Sequence, residues 1–210
     1  MARKVGDRER AAWWARLLRL TVRVVVPIAF IGLLWYLHAN VIRVGYVPSA
    51  SMEPTVMPED RILIRLDAYG TGGPKRGDII VYADRAGELL VKRVIGIGGD
   101  RLEMASGYVQ LNGKLLREPY LKQEPHVREF YFEIAIPDDT VFVLGDNRNL
   151  SADSRDRDVG PIPLDAILGR VTHIILPRAR ARRLGSHEYG GRLPNRPFTA
   201  RGAASGRSGQ

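Results

Sequence analysis

A mainly antiparallel β domain behind a single membrane-spanning helix is the fold that this 210-residue sequence predicts. Three observations carry the expectation. Residues 43–177 break into short β-branched runs bounded by Gly, Pro, Asn and Asp. Leu111-Asn112-Gly113-Lys114 carries Asn-Gly, the strongest short hairpin signal. Ahead of these, residues 24–42 form nineteen positions without a charge before Arg43.

In chain order, residues 1–23 form a basic segment with seven Arg/Lys against two acids. The uncharged run 24–42 would rise about 28 Å as a helix, close to a hydrocarbon core of about 30 Å. Trp35 and Tyr36 lie towards its distal end, where an interfacial belt places aromatics. Pro27 is tolerated in a membrane span, where it would break an aqueous helix. A buried helix or a cleaved signal peptide competes with this reading. The small residue nearest to a cleavage pattern, Ala50, lies well beyond the apolar run, which favours a retained anchor. Basic residues before the span outnumber Arg43 after it, so the N-terminus is expected in the cytoplasm and the body on the far side.

Within the body, strands are expected at 61–66, 78–82, 88–97, 107–111, 140–144 and 168–176. From Arg178 to the end, Arg, Gly, Ser and Pro dominate, and 178–210 reads as a disordered basic tail with eight Arg against Glu188.

The formal net charge of +9 invites a nucleic-acid partner until it is located. Both termini are basic, which leaves residues 24–177 at a net −3. A basic domain docked on phosphates has the opposite arrangement, so no nucleic-acid partner is expected. There are no cysteines, which excludes disulfides, thiolate nucleophiles and Cys-based metal sites. Four scattered histidines without HExxH leave no compact metal motif, and neither a metal nor a cofactor is expected.

Three stretches look chemical. Pro48-Ser49-Ala50-Ser51-Met52-Glu53-Pro54-Thr55 is a constrained turn holding Ser51, although an ordinary loop with capping serines has the same composition. In Leu89–Ile95, a strand puts Leu90, Lys92 and Val94 on one face, and Val91, Arg93 and Ile95 on the other. Lys92 is then either an edge-strand guard or a desolvated amine able to stay neutral. A free lysine, with a pKa of about 10.4, is only about 10⁻³ neutral near pH 7.5. Leu144–Arg155 has little to pack except Leu144 and Leu150, so its own hydrogen bonds and pairs such as Asp153 with Arg155 must hold it. Alone, it could also be a calcium loop through Asp146, Asn147 and Asp153, though without EF-hand spacing.

Together and in this order, these motifs resemble the bacterial type I signal peptidase (leader peptidase) family of Ser–Lys dyad serine proteases. The resemblance is carried by PSASMEPT at 48–55, RGDIIVY at 76–82, KRVIGIGGD at 92–100 and GDNRNLSADSR at 145–155, followed by VGPIP. The first motif alone would arise by composition on the order of 10⁻⁸ per start position.

The resemblance implies Ser51 as nucleophile and Lys92 as general base. It implies an oxyanion hole from the Ser51 N–H and the Ser49 hydroxyl, and Ser151 as the residue that orients the lysine amine. Asp153 and Arg155 match the pair that braces the loop, and Asp78 and Arg93 fall on supporting positions. Val47, Met52, Val81, Leu90 and Val91 are implied as substrate-binding, with Met52 also turned to lipid. The implied partners are signal peptides of exported preproteins, cut after small residues in an Ala-x-Ala pattern, and the lipid bilayer. The implied location is the bacterial cytoplasmic (inner) membrane, single-pass. Leu150 departs from the polar residue that many members carry there, and the basic tail matches no family feature. A dedicated peptidase with few substrates and an inactive membrane-tethered peptide-binding module are the rivals. The simultaneous presence of Ser49, Ser51, Lys92 and Ser151 argues against the inactive module.

Overall fold

The structure is a computed structural model, which describes residues 3–70, 72–105, 107–121, 132–187 and 189. The chain divides into two compact units, 1–43 and 44–210.

In the first unit, α1 spans Arg3–Asn40 with Pro27 inside it. Trp13–Tyr36 is long and apolar enough to cross a membrane, and its side chains are exposed. At about 1.5 Å per residue those 24 residues exceed the hydrocarbon thickness of about 30 Å. The helix contains the expected span of 24–42 up to Asn40, whereas Ile42, the last residue of that span, opens the first strand.

Among the described residues the second unit holds strands and, as its only helical pieces, two single 3₁₀ turns at Leu164–Ala166 and Arg178–Arg180. The strands are β1 Ile42–Tyr46, β2 Arg61–Arg65, β3 Ile79–Ala83, β4 Leu89–Ile97, β5 Arg101–Ala105 and β6 Tyr108–Leu111. They continue with β7 Lys114–Leu115, β8 Phe132–Ala135, β9 Thr140–Leu144, β10 Ile162–Pro163, β11 Ile167–Leu176 and β12 Arg182–Arg183. One sheet runs β1-β2-β11-β3-β4-β9-β10 with β12 added on β11, and a smaller one runs β7-β6-β5-β8. The described pairings from β2 onward are antiparallel, as the short punctuated runs predict. Asn112 and Gly113 take positive φ (52° and 74°) between β6 and β7, the two-residue hairpin turn that Asn-Gly favours.

Three apolar clusters hold the sheets. Val47, Met52, Val56, Ile62, Ile64, Ile79, Val81, Val171, Ile174 and Leu184 form one. Ile80, Tyr82, Val94, Val141, Val143 and Ile162 form a second, on the other face of β3. The third joins Ile95 of β4 and Phe142 of β9 to the smaller sheet through Leu102, Met104, Val109 and Leu111.

The expectation of a disordered tail from Arg178 is corrected for its first part. β12 pairs with β11, His173 opposite Arg183 and Ile174 opposite Arg182, and Leu184 is buried in the first cluster. Two arginines of this stretch have fixed acceptors: Arg180 bonds Asp60, and Arg182 bonds Thr55 O. Residues 190–210 lie outside the described residues, so the rest of that expectation has no counterpart here.

Candidate active site

Ser51 sits in a loop, 47–60, that joins β1 to β2 and is closed on itself by backbone hydrogen bonds. Val47 N–H donates to Asp60 O (3.1 Å), Glu59 N–H to Val47 O (2.8 Å) and Val56 N–H to Met52 O (2.9 Å). Met52 and Val56 turn inward and anchor the loop in the first apolar cluster. That fixes Ser51 between a buried neighbour, Met52, and the half-buried Ala50. Met52 is only 1% exposed, which corrects the expectation that it faces lipid: the apolar thioether is held among core side chains.

Lys92 lies on β4, opposite Ile80 of β3. Its strand neighbours Leu90 and Val94 pack with Ile80 and Tyr82, so the period-2 reading of the strand places the amine on an apolar face. Its Nζ donates to Ser51 Oγ at 2.9 Å, with Lys92 3% and Ser51 7% exposed. Burial pushes the Lys92 amine below the usual lysine range. The Asp153 carboxylate opposes that shift and the Arg155 guanidinium favours it. The Ser49 hydroxyl lies 3.2 Å from Ser51 Oγ, on the exposed side of the pair.

The loop after β9 braces both residues. Asn147 N–H donates to Ser51 O (3.0 Å), and its Nδ2 donates to Ala50 O (3.2 Å). Asp153 is fully buried and accepts from Gly145 N–H (2.9 Å) and from Arg155 Nε and Nη2 (2.7 and 2.9 Å). Arg155 Nη2 also donates to Arg148 O and Ser151 O (2.7 and 3.3 Å), so one guanidinium ties the loop to itself. Gly145 passes between the two serines: a Cβ there would lie 2.5 Å from Ser51 O and nearer still to Ser151. Ser151 is thus brought to the site, but its hydroxyl bonds Ala152 O at 3.5 Å rather than the Lys92 amine. Leu150 points into solvent, 69% exposed, and its N–H bonds Asn147 O (3.1 Å), so the apolar substitution leaves the turn closed.

Behind β4, Arg93 makes a bidentate pair with Asp146 (Nε–Oδ1 2.8 Å, Nη2–Oδ2 2.7 Å) and donates to Gly77 O (3.0 Å). Its guanidinium lies 4.0 Å from the Tyr120 ring centroid, a cation–π contact. Asp78 is buried, accepts from Lys75 N–H (3.0 Å) and pairs with Arg170 (3.2 Å). These are supports of the strands rather than groups at the dyad.

Four of the five expected substrate-binding residues lie together and one lies apart. Val47, Met52 and Val81 are buried in the first cluster with Val91 against it, whereas Leu90 packs on the opposite face. Sequence reasoning missed Asp146 as the partner of Arg93, and Asn147 as the support of Ser51. Their partners lie 53 and 96 residues away, and no local pattern signals them. The calcium reading of this loop falls, because Asp146 and Asp153 are committed to Arg93 and Arg155. No cluster of metal-ligating side chains occurs among the described residues.

A buried neutral amine within hydrogen-bond reach of a serine hydroxyl is able to act as its base. Comparison with known proteins identifies the family. A family model described as signal peptidase, peptidase S26, matches residues 17–176. Signal peptidase I U of Bacillus subtilis (strain 168) is 34% identical over 165 residues, covering 75% of this chain and 88% of that protein. Signal peptidase IB of Staphylococcus aureus (strain Mu50) is 31% identical over 170 residues, covering 73% and 87%. Probable signal peptidase I-2 of Synechocystis sp. is 39% identical over 132 residues, which is 60% of this chain and 59% of that protein. A crystal structure of a signal peptidase I from Enterococcus faecalis V583 covers 47% of this chain at 30% identity, with a TM-score of 0.42. With three quarters of its length matched by the family model, and an apolar helix that fits a membrane-anchored enzyme, the chain belongs to the signal peptidase family of S26 peptidases.

Proposed function

We propose that this chain is a membrane-anchored serine endopeptidase that removes signal peptides from exported preproteins, using Ser51 as nucleophile and Lys92 as its base. The observation that carries the reading is the 2.9 Å contact from Lys92 Nζ to Ser51 Oγ, with both groups nearly sealed from solvent.

Burial favours the neutral amine, which is the form able to accept a proton. Ser51 Oγ attacks the scissile carbonyl while its proton passes to Lys92. The ammonium so formed has the Asp153 carboxylate nearby to stabilise it, and then protonates the leaving amine. The acyl-enzyme is released by water, with Lys92 again taking the proton and returning it to Ser51. In this proposal the oxyanion is received by the Ser51 N–H, which has no acceptor among the described residues, and by the Ser49 hydroxyl, 3.2 Å from Ser51 Oγ. Ser151 turns its hydroxyl from Ala152 O to the Lys92 amine during turnover, since a 3.5 Å contact holds it weakly. His173 and His187 bond Thr172 and Arg117 O, so neither serves Ser51.

Specificity for small residues in an Ala-x-Ala pattern belongs to the same proposal, as does a topology with the N-terminus cytoplasmic and the β domain extracytoplasmic in a bacterial cytoplasmic membrane. The experiment is cleavage of a preprotein bearing an Ala-x-Ala site, in detergent or lipid, by wild type and Lys92→Ala. Cleavage at that site by wild type alone is expected. Equal cleavage by both would overturn the assignment of the base.

A further inference from the structure

The family model ends at Leu176, yet the chain beyond it returns to the loop that carries Ser51. β11 is paired on one side with β2 along Arg170–Leu176, and with β3 over Ile167–Arg170 on the other. That second side is vacant past Arg170, and β12 fills it at His173 and Ile174. Leu184 N–H then donates to Thr172 O (2.7 Å). The strap 178–184 is therefore held by the sheet and is not a loose tail.

From that footing it touches loop 47–60 at three places. Arg180 grips Asp60 through Nε–Oδ1 and Nη2–Oδ2, both 3.0 Å. Asp60 is 1% exposed, and its own carbonyl and carboxylate close the loop by accepting from Val47 N–H and Met57 N–H (3.1 and 2.8 Å). A buried carboxylate with one backbone donor needs that cation, because an unpaired buried charge is costly. Arg182 Nη2 donates to Thr55 O (2.7 Å), four residues from Ser51. Thr55 Oγ1 also accepts, at 3.5 Å, from Arg93, the neighbour of Lys92, so this residue joins the strap to the strand of the base. Leu184 completes the cluster in which Val47, Met52 and Val56 of the loop are buried.

We propose that this strap is a clamp that sets the position of Ser51, with Arg180 and Arg182 as positioning residues that act through Asp60 and Thr55. The proposal rests on Ser51 being the nucleophile only for its effect on rate; the clamp itself is read independently of activity.

The test uses the full chain with Arg182→Ala, Arg182→Lys and the double variant Asp60→Asn/Arg180→Gln, which removes the grip without leaving a buried charge. Two readouts are taken: backbone hydrogen exchange across 47–60 and across β5–β6, and kcat and KM for preprotein cleavage. The expected result is exchange in 47–60 faster by about 10-fold with β5–β6 unchanged, kcat down by about 10-fold and KM within about twofold. Arg182→Lys, whose ammonium can still donate to Thr55 O, recovers most of the loss. Unchanged exchange in the loop, or exchange that speeds equally in β5–β6, would overturn the clamp and leave a strap that merely adds stability. Loop exchange that responds while a Ser51→Ala control cleaves like wild type would instead retain the clamp and refute Ser51 as nucleophile.

Discussion

Gly145→Ala places one methyl group at the junction of the two serines. A Cβ at this position would stand 2.5 Å from Ser51 O and closer to Ser151 Oγ and Cβ, whereas ordinary contacts begin at 3.4 Å. Relief therefore requires a relative shift of about 1 Å between the Ser51 backbone and the 145–155 loop, and displacements of that size cost about 10²-fold in rate. The shift also loosens the Asn147 N–H bond to Ser51 O, so the nucleophile loses a support while it moves. Overpacking of this kind costs about 1–3 kcal/mol of stability, or a melting shift of some 2–4 °C per kcal/mol for a domain this size. The assay is kcat for preprotein cleavage at a temperature where the variant is folded, with the melting midpoint recorded alongside. A folded variant with kcat within about threefold of wild type would refute the tight junction.

Three further outcomes follow from the same geometry. Lys92 titrates below its unfolded value of about 10.4, so cleavage is expected to rise with pH through the lowered pKa as the amine becomes neutral. For stability the sign is the same: below the folded pKa the buried ammonium is a constant penalty, which is relieved as pH rises towards about 10.4. Lys92→Met should therefore be inactive and more stable than wild type near pH 7, with the stability gap closing in alkali; a gap independent of pH in denaturant titrations contradicts this. Asp146→Ala leaves the Arg93 guanidinium buried and unpaired, and chemical denaturation should show a loss of about 3–5 kcal/mol, against under 1 kcal/mol if the pair were solvated. Ser151→Ala is expected to lower kcat by about 10²–10³-fold by releasing the Lys92 amine; a loss below about threefold would show that the hydroxyl stays on Ala152 O.

What was legible in the sequence depended on how local its cause was. β2, β3, β4, β9 and β11 are dense in Ile, Val and Leu between turn residues, and their bounds match the expectation within a residue. β5 was not foreseen, because Arg101-Leu-Glu-Met-Ala105 favours helix; pairing with β6 and β8 and burial of Leu102 and Met104 override that preference. β1 is not among the expected strands: its first residue, Ile42, falls in the expected span, and Arg43-Val-Gly-Tyr46 carries only one β-branched residue. β12 is two arginines, which no propensity marks as a strand; it forms because β11 has an unpaired edge there.

At the site, Ser51 and Lys92 stand 41 residues apart, so only the resemblance of four ordered motifs joined them on paper. The alternation of Leu90, Lys92 and Val94 leaves both an edge-strand guard and a buried amine open; pairing of β4 with β3 on one side and β9 on the other decides for burial. The distance to Ser51 is set by β3–β4 pairing and by the hold of Asn147 on the nucleophile loop, neither of which is local in sequence.

The most direct test of the account is to trap the acyl-enzyme. Wild type is mixed with a preprotein substrate, quenched in acid within the first turnover and digested for mass spectrometry of the peptide that contains Ser51. The account predicts a signal-peptide adduct on Ser51 that is absent in Lys92→Ala. An adduct on another residue, or rapid cleavage with no adduct at Ser51, would contradict it.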